Sequence, residues 1–194
     1  MIINEILTLP VNESSGYSLA GSFTPDLIKS KVWLLSELAK ISPEVGTIYV
    51  LGSWYGNLGV LLALDPVIRY KQLINVETNP EFLQASKRIH DRLGIGNTEY
   101  MLADANNLDY RQLGNNGVVI NTSLTDMPGK AWFDRIPAGT LVVMQSRDND
   151  PGDVAHSTQD IIDRFPLNEI IYDGELKLQD PETQYTRYMV IGVK

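Results

Sequence analysis

Short apolar runs, separated by helical or turn-rich intervals, set the pattern of this chain. Thr47–Leu51 (TIYVL) is β-branched and apolar throughout, as a strand buried on both faces is. Gln72–Val76, Thr98–Leu102, Gly117–Ile120 and Thr140–Met144 continue the series. Asn168–Leu178 and Tyr185–Val193 are longer. Asp180-Pro181-Glu182-Thr183 between them is a turn sequence, so the pair forms an antiparallel hairpin. Helical spacing runs from Leu27 and Ile28 through Leu34, Leu35 and Leu38 to Ile41. Thr24-Pro25-Asp26 supplies its start and Pro43 its end. A glycine-bearing loop, Gly52–Gly59, leads into a helix near 57–64. Thr78-Asn79-Pro80-Glu81 has the form of a capping box for a further helix, which Gly94 closes. The pattern predicts five β–α units and a terminal hairpin: one open, mostly parallel sheet covered on both faces, in a single domain over 1–194. Residues 1–24, rich in Ser, Gly and Asn beyond residue 10, read as an irregular arm.

Composition narrows the chemistry. The 194 residues include no cysteine, which excludes disulfides, thiolate metal sites and a thiol nucleophile. With only His90 and His156, no metal site is expected. Sixteen Lys and Arg against 24 Asp and Glu give a formal charge of −8. That balance disfavours stable binding to duplex nucleic acid, which needs clustered cations. The first residues lack a basic signal-peptide region, and no apolar run approaches the roughly 18 residues that span a membrane. A cytoplasmic protein is the expectation.

In sheets of this kind ligands bind at the carboxyl ends of the strands. The first strand ends in Gly52-Ser53-Trp54-Tyr55-Gly56, where glycines admit close backbone approach or ease a tight turn into the helix. The second ends at Glu77, 18 residues past Gly59, a spacing that suits bonds to ribose hydroxyls or an acid at a helix N-terminus. The third ends at Asp104, able to accept from an adenine amine or to cap a short helix.

In this order of glycine loop, Glu77, Asp104, a polar fourth strand end and a hairpin, the chain resembles the class I S-adenosylmethionine-dependent methyltransferases over residues 25–194. The resemblance implies a three-layer, doubly wound, Rossmann-like sheet of seven strands, the last antiparallel and inserted. It implies that Glu77 holds the ribose of S-adenosylmethionine, that Asp104 takes the adenine amine, and that Gly52, Ser53, Trp54 and Gly56 face the methionine part. The family's first acid and central glycine would fall near Gly52 and Trp54, and this chain carries neither. Asn121-Thr122-Ser123, with Gln145-Ser146 and Tyr185-Thr186-Arg187-Tyr188-Met189, is also similar to small methyltransferase-like proteins of bacteriophages. Leu124-Thr125-Asp126 then stands where many of those carry Cys-Glu-His. Asp126 is the candidate base and Asn121 the candidate group that orients the acceptor, a small molecule or nucleotide. Asn121–Ser123 is equally an ordinary polar turn. Three other readings stay open: a cofactor-binding protein of the same fold without methyl transfer, an S-adenosylmethionine lyase, and a nicotinamide dehydrogenase. His156 among Asp148, Asp150 and Asp153 reads as a solvated surface group, His90 as structural, and Trp33 as core or lid.

Overall fold

In the computed structural model, which describes residues 18–127, 129–149, 155–180 and 182–194, seven strands form one sheet in the order β3-β2-β1-β4-β5-β7-β6. The strands are β1 (Glu44–Leu51), β2 (Arg69–Glu77), β3 (Thr98–Leu102), β4 (Val118–Asn121), β5 (Leu141–Arg147), β6 (Glu169–Gln179) and β7 (Gln184–Val193). The first five run parallel, and β7 pairs antiparallel with both β5 and β6. This is the expected Rossmann-like architecture with its reversed, inserted last strand. The anticipated arm before residue 18, together with Pro128, Asp150, Asp153 and Pro181, lies outside the described residues.

The central strands are apolar on both faces because both are covered. On one face lie α2 (Pro25–Ile41) and α3 (Asn57–Leu64), with Leu34, Leu38, Leu58 and Leu62 packed against Ile48, Val50 and Ile120. The amphipathic α4 (Pro80–Leu93) covers β2 and β3 and sets Ala85 and Ile89 against Tyr55 and Val60. A one-turn α1 (Leu19–Ser22) precedes α2. The α2 chain starts as expected, with Thr24 as N-cap and Pro25 in the first turn. For α4 the cap is Asn79, one residue later than the capping-box spacing implied. Its side chain accepts from the Glu81 amide at 2.9 Å, and Gly94 closes the helix in the left-handed region.

The opposite face departs from five regular β–α units. After β3 there is only a 3-10 turn over 105–107. After β4 come a second such turn, 124–126, and the four-residue α5 (Ala131–Asp134). A two-turn α6 (Thr158–Arg164) follows β5. Bulk replaces helix length here. Tyr110, Trp132, Phe133 and Phe165 are buried against Tyr49, Val119, Val142 and Met144. The Trp132 and Phe165 rings lie 5.1 Å apart. Truncating one such ring costs about 3–5 kcal/mol.

Candidate functional site

A cleft of about 420 Å³ opens at the carboxyl ends of β1 to β4 and reaches the start of β7. Its size falls in the roughly 300–1,000 Å³ range of small-molecule sites. The β1 loop forms one wall. Gly52, Trp54 and Gly56 have φ of 61°, 52° and 71°. A tryptophan in the left-handed region costs about 1–2 kcal/mol. The Trp54 amide donates to Glu77 Oε2 at 2.9 Å, and its indole packs on Tyr55 and Phe82 at centroid distances of 5.4 and 6.3 Å. The indole is therefore a wall of the cleft and leaves it open.

Glu77 is tied on both oxygens. Oε1 accepts from the Thr78 and Asn79 amides at 2.8 and 3.0 Å, so the carboxylate fastens the β2 end to the β1 loop. A carboxylate has about four lone-pair sites. Oε2 thus keeps room for one more donor, short of the pair of ribose bonds the spacing suggested. Asp104 caps the 105–107 turn, its Oδ1 accepting from the Asn106 amide at 2.9 Å and its Oδ2 from Asn107 Nδ2 at 3.2 Å. It is nonetheless exposed along the cleft, so the capping role and a ligand role coexist in one side chain.

Gly56 and Asn121 occupy different positions from those expected. Gly56 is not among the lining residues. A Cβ there would run into Ser86 Oγ and come within 2.9 Å of His90 Nε2. Its carbonyl sits 2.9 Å from the same nitrogen. Burial holds the His90 pKa down, which favours a neutral ring whose Nε2–H donates to Gly56. This glycine serves packing of α4 on the loop. Gly52 does face the β4 loop, where a Cβ would meet Met127 Cε at 2.8 Å. Asn121 is fully buried; its Oδ1 accepts from the Ser123 amide at 2.9 Å, and its Nδ2 lies 3.3 Å from Met127 Sδ. It shapes the loop, while Thr122, Ser123, Thr125 and the exposed Asp126 line the cleft. Ser53 is buried and lines it too.

At the other end stand three cations: Lys31 of α2 and Arg147 of β5, which the sequence did not single out, and Arg187 of β7, named there only within Tyr185–Met189. Arg187 is 5% exposed and donates through Nη2 to the Thr122 carbonyl at 2.8 Å. Lys31 is 7% exposed, and burial, reinforced by the Arg187 charge, pushes its pKa down to about 7. The nearby Asp26 accepts from the Tyr185 hydroxyl at 2.6 Å, which pins α2 to β7. The signal for Lys31 was present: it falls four residues after Leu27 and four before Leu35, on the apolar stripe of α2. Of the remaining candidates, His156 is exposed. Trp33 donates from Nε1 to the Tyr172 hydroxyl at 3.2 Å and serves as packing between α2 and β6. No group of His, Asp and Glu among the described residues is arranged to hold a metal ion.

No family model and no curated relative matches the sequence. Solved structures do match. One is the N-methyltransferase NodS from Bradyrhizobium japonicum, with TM-score 0.63 and 15% identity over 89% of this chain and 99% of that one. A second is an rRNA methylase from Streptococcus thermophilus, with TM-score 0.58 and 17% identity over 89% and 99%. A third, the N-terminal domain of EvdMO1 with S-adenosylhomocysteine (SAH) bound, has TM-score 0.61 and 15% identity over 98% and 93%. Strand order, the reversed last strand and these neighbours together give the chain the class I methyltransferase fold.

Proposed function

We propose that this protein transfers a methyl group from S-adenosylmethionine to a small-molecule or nucleotide acceptor. The observation that carries the reading is the single cleft in which Glu77 and Asp104, at neighbouring strand ends, share space with Ser123, Thr125 and Asp126 beyond β4. The residues fit the cofactor. Asp104 keeps acceptor capacity for an adenine amine, Glu77 Oε2 can take one ribose hydroxyl, and Val76, Phe82 and Met127 offer apolar walls for a flat base. The cofactor supplies an electrophilic sulfonium methyl. The chain's own task is to align an acceptor against it and to accept the acceptor's proton, for which Asp126, exposed on the cleft beyond β4, is the candidate carboxylate. Asn121 acts one step removed, by holding the turn that carries Ser123.

Calorimetric titration with SAH and with NAD tests the cofactor. Binding of SAH alone is expected; binding of NAD alone overturns the reading. Incubation with S-adenosylmethionine and candidate acceptors then tests the chemistry. Acceptor-dependent formation of SAH, lost in Asp126→Asn, is the expected result. Methylthioadenosine formed without acceptor would establish a lyase, and binding with no product from any acceptor would favour a binding protein.

A further inference from the structure

The cation end of the cleft has no counterpart in the chemistry assigned so far. Arg147 and Arg187 are directly opposed in the antiparallel β5–β7 pair, so their side chains stand on the same face of the sheet, roughly 4.5–5.5 Å apart at Cβ. That face is the one beneath α2, where Gln145 accepts from Ser30 Oγ at 3.2 Å. Lys31 comes down onto it from the helix. Like charges opposed across a strand pair repel, and burying an ammonium adds desolvation. Among the described residues Lys31 Nζ makes no hydrogen bond or ion pair, although the side chain is more than nine-tenths buried and lines the cleft. The carboxylate of the same helix, Asp26, is engaged by Tyr185. In a chain of net charge −8, three cations converge on one end of the cleft.

We infer that Lys31, Arg147 and Arg187 form an oxyanion subsite, and that the methyl acceptor is a small molecule bearing a carboxylate or phosphate group which this subsite holds. The inference rests on the methyl-transfer reading for the word acceptor; the subsite itself stands on the cations alone. The guanidinium of Arg187, fixed on the Thr122 carbonyl, supplies an oriented fork, and Lys31 supplies a point charge. The charges acting on Lys31 are Asp26 on its own helix and Arg187 on β7; Tyr185 on β7 and Arg147 on β5 stand beside that pair. Glu77, Asp104 and Asp126 lie elsewhere around the same cleft. Above pH 7 the free Lys31 is largely neutral, so an arriving oxyanion draws a proton onto it.

Calorimetry with inorganic sulfate, which does not titrate in this range, tests the subsite on the intact protein in buffers of different ionisation enthalpy. Expected are proton uptake on binding at pH 8, little uptake at pH 6, and an affinity that falls as pH rises through 7. No sulfate binding, or binding without uptake at pH 8, overturns the subsite. Lys31→Met, checked for folding by its melting curve, should weaken sulfate at pH 6 by roughly tenfold or more. The same titration on protein saturated with SAH locates the anion's source. Sulfate binding to the loaded protein supports an acceptor anion. Competition between the two, with Lys31→Met weakening both alike, assigns the subsite to the cofactor's own carboxylate and overturns the acceptor proposal. Sulfate binding with the predicted proton uptake in a protein that ignores SAH would leave the oxyanion subsite standing and sink the methyl-transfer reading.

Discussion

The two ends of the cleft are built on opposite terms. At the acidic end Glu77 and Asp104 are woven into the backbone, one fastening two loops and the other capping a turn. At the basic end the largely buried Lys31 side chain has no hydrogen-bond or ion-pair partner among the described residues. The acids therefore contribute to the fold whether or not a ligand is bound, while the lysine costs the fold something until an anion arrives. Affinity and stability should accordingly move together under substitution at the first end and in opposite directions at the second.

The largest effect falls on Glu77→Ala. It strands the amides of Trp54, Thr78 and Asn79, and should lower stability by about 2–3 kcal/mol in urea unfolding as well as weakening SAH. A mutant as stable as the wild type would detach Glu77 from the loop. Trp54→Gly comes next. It relieves a left-handed tryptophan but forfeits the contacts with Tyr55 and Phe82, for a net loss of about 1–2 kcal/mol in the same measurement. Because the indole is a wall of an open cleft, SAH should still bind. Asp104→Ala removes a cap worth about 1 kcal/mol and should weaken SAH by a further factor of about 2–10, read by calorimetry.

The effect of opposite sign, and the one that most sharpens the contrast, belongs to Lys31→Met. The native Lys31 releases its proton near pH 7, whereas the unfolded chain keeps it until its ordinary value of 10.5. Between these limits the unfolded state binds more protons, so wild-type stability rises with pH, by at most about 1.4 kcal/mol per pH unit from this one group. Below pH 7 both states are protonated and the slope vanishes. Unfolding curves from pH 6 to 10 should show this rise, and Lys31→Met should flatten it while gaining most at the acid end.

These contrasts also explain what could be read from the chain. Buried parallel strands are continuous apolar runs, so β1 to β5 were visible, and the Asp180 turn announced the hairpin. The thin face was not. Segments 103–117 and 122–140 sit where crossover helices were expected, yet Asn106, Asn107, Gly114, Gly129 and Gly139 break any helical period. Their coverage comes from single large side chains such as Tyr110 and Trp132, which periodicity does not register. Glu77 and Asp104 could be placed from the chain because both stand at strand ends, and strand ends face the cleft that they line. Gly56 was misassigned because the same glycine that would admit a ligand here admits Ser86 and His90. Lys31 was overlooked because its place on the apolar stripe marks it as buried but does not say what it faces until its neighbours across the fold are known. Those neighbours, Tyr185 and Arg187, lie more than 150 residues away in sequence.

That separation bears on the order in which the protein comes into being. Every residue of the acidic end, through Asp126, leaves the ribosome well before β7, the strand that must slip between β5 and β6. A nascent chain paused before Tyr185 lacks the Asp26 latch and Arg187. The end of the cleft that carries Glu77 and Asp104 can thus form, with Lys31 and Arg147 already made, while Tyr185 and Arg187 are still unsynthesised. Contacts of such long range close late and slowly. Insertion of the final strand therefore completes the cleft: Arg187 and the Tyr185 latch on Asp26 arrive only with β7.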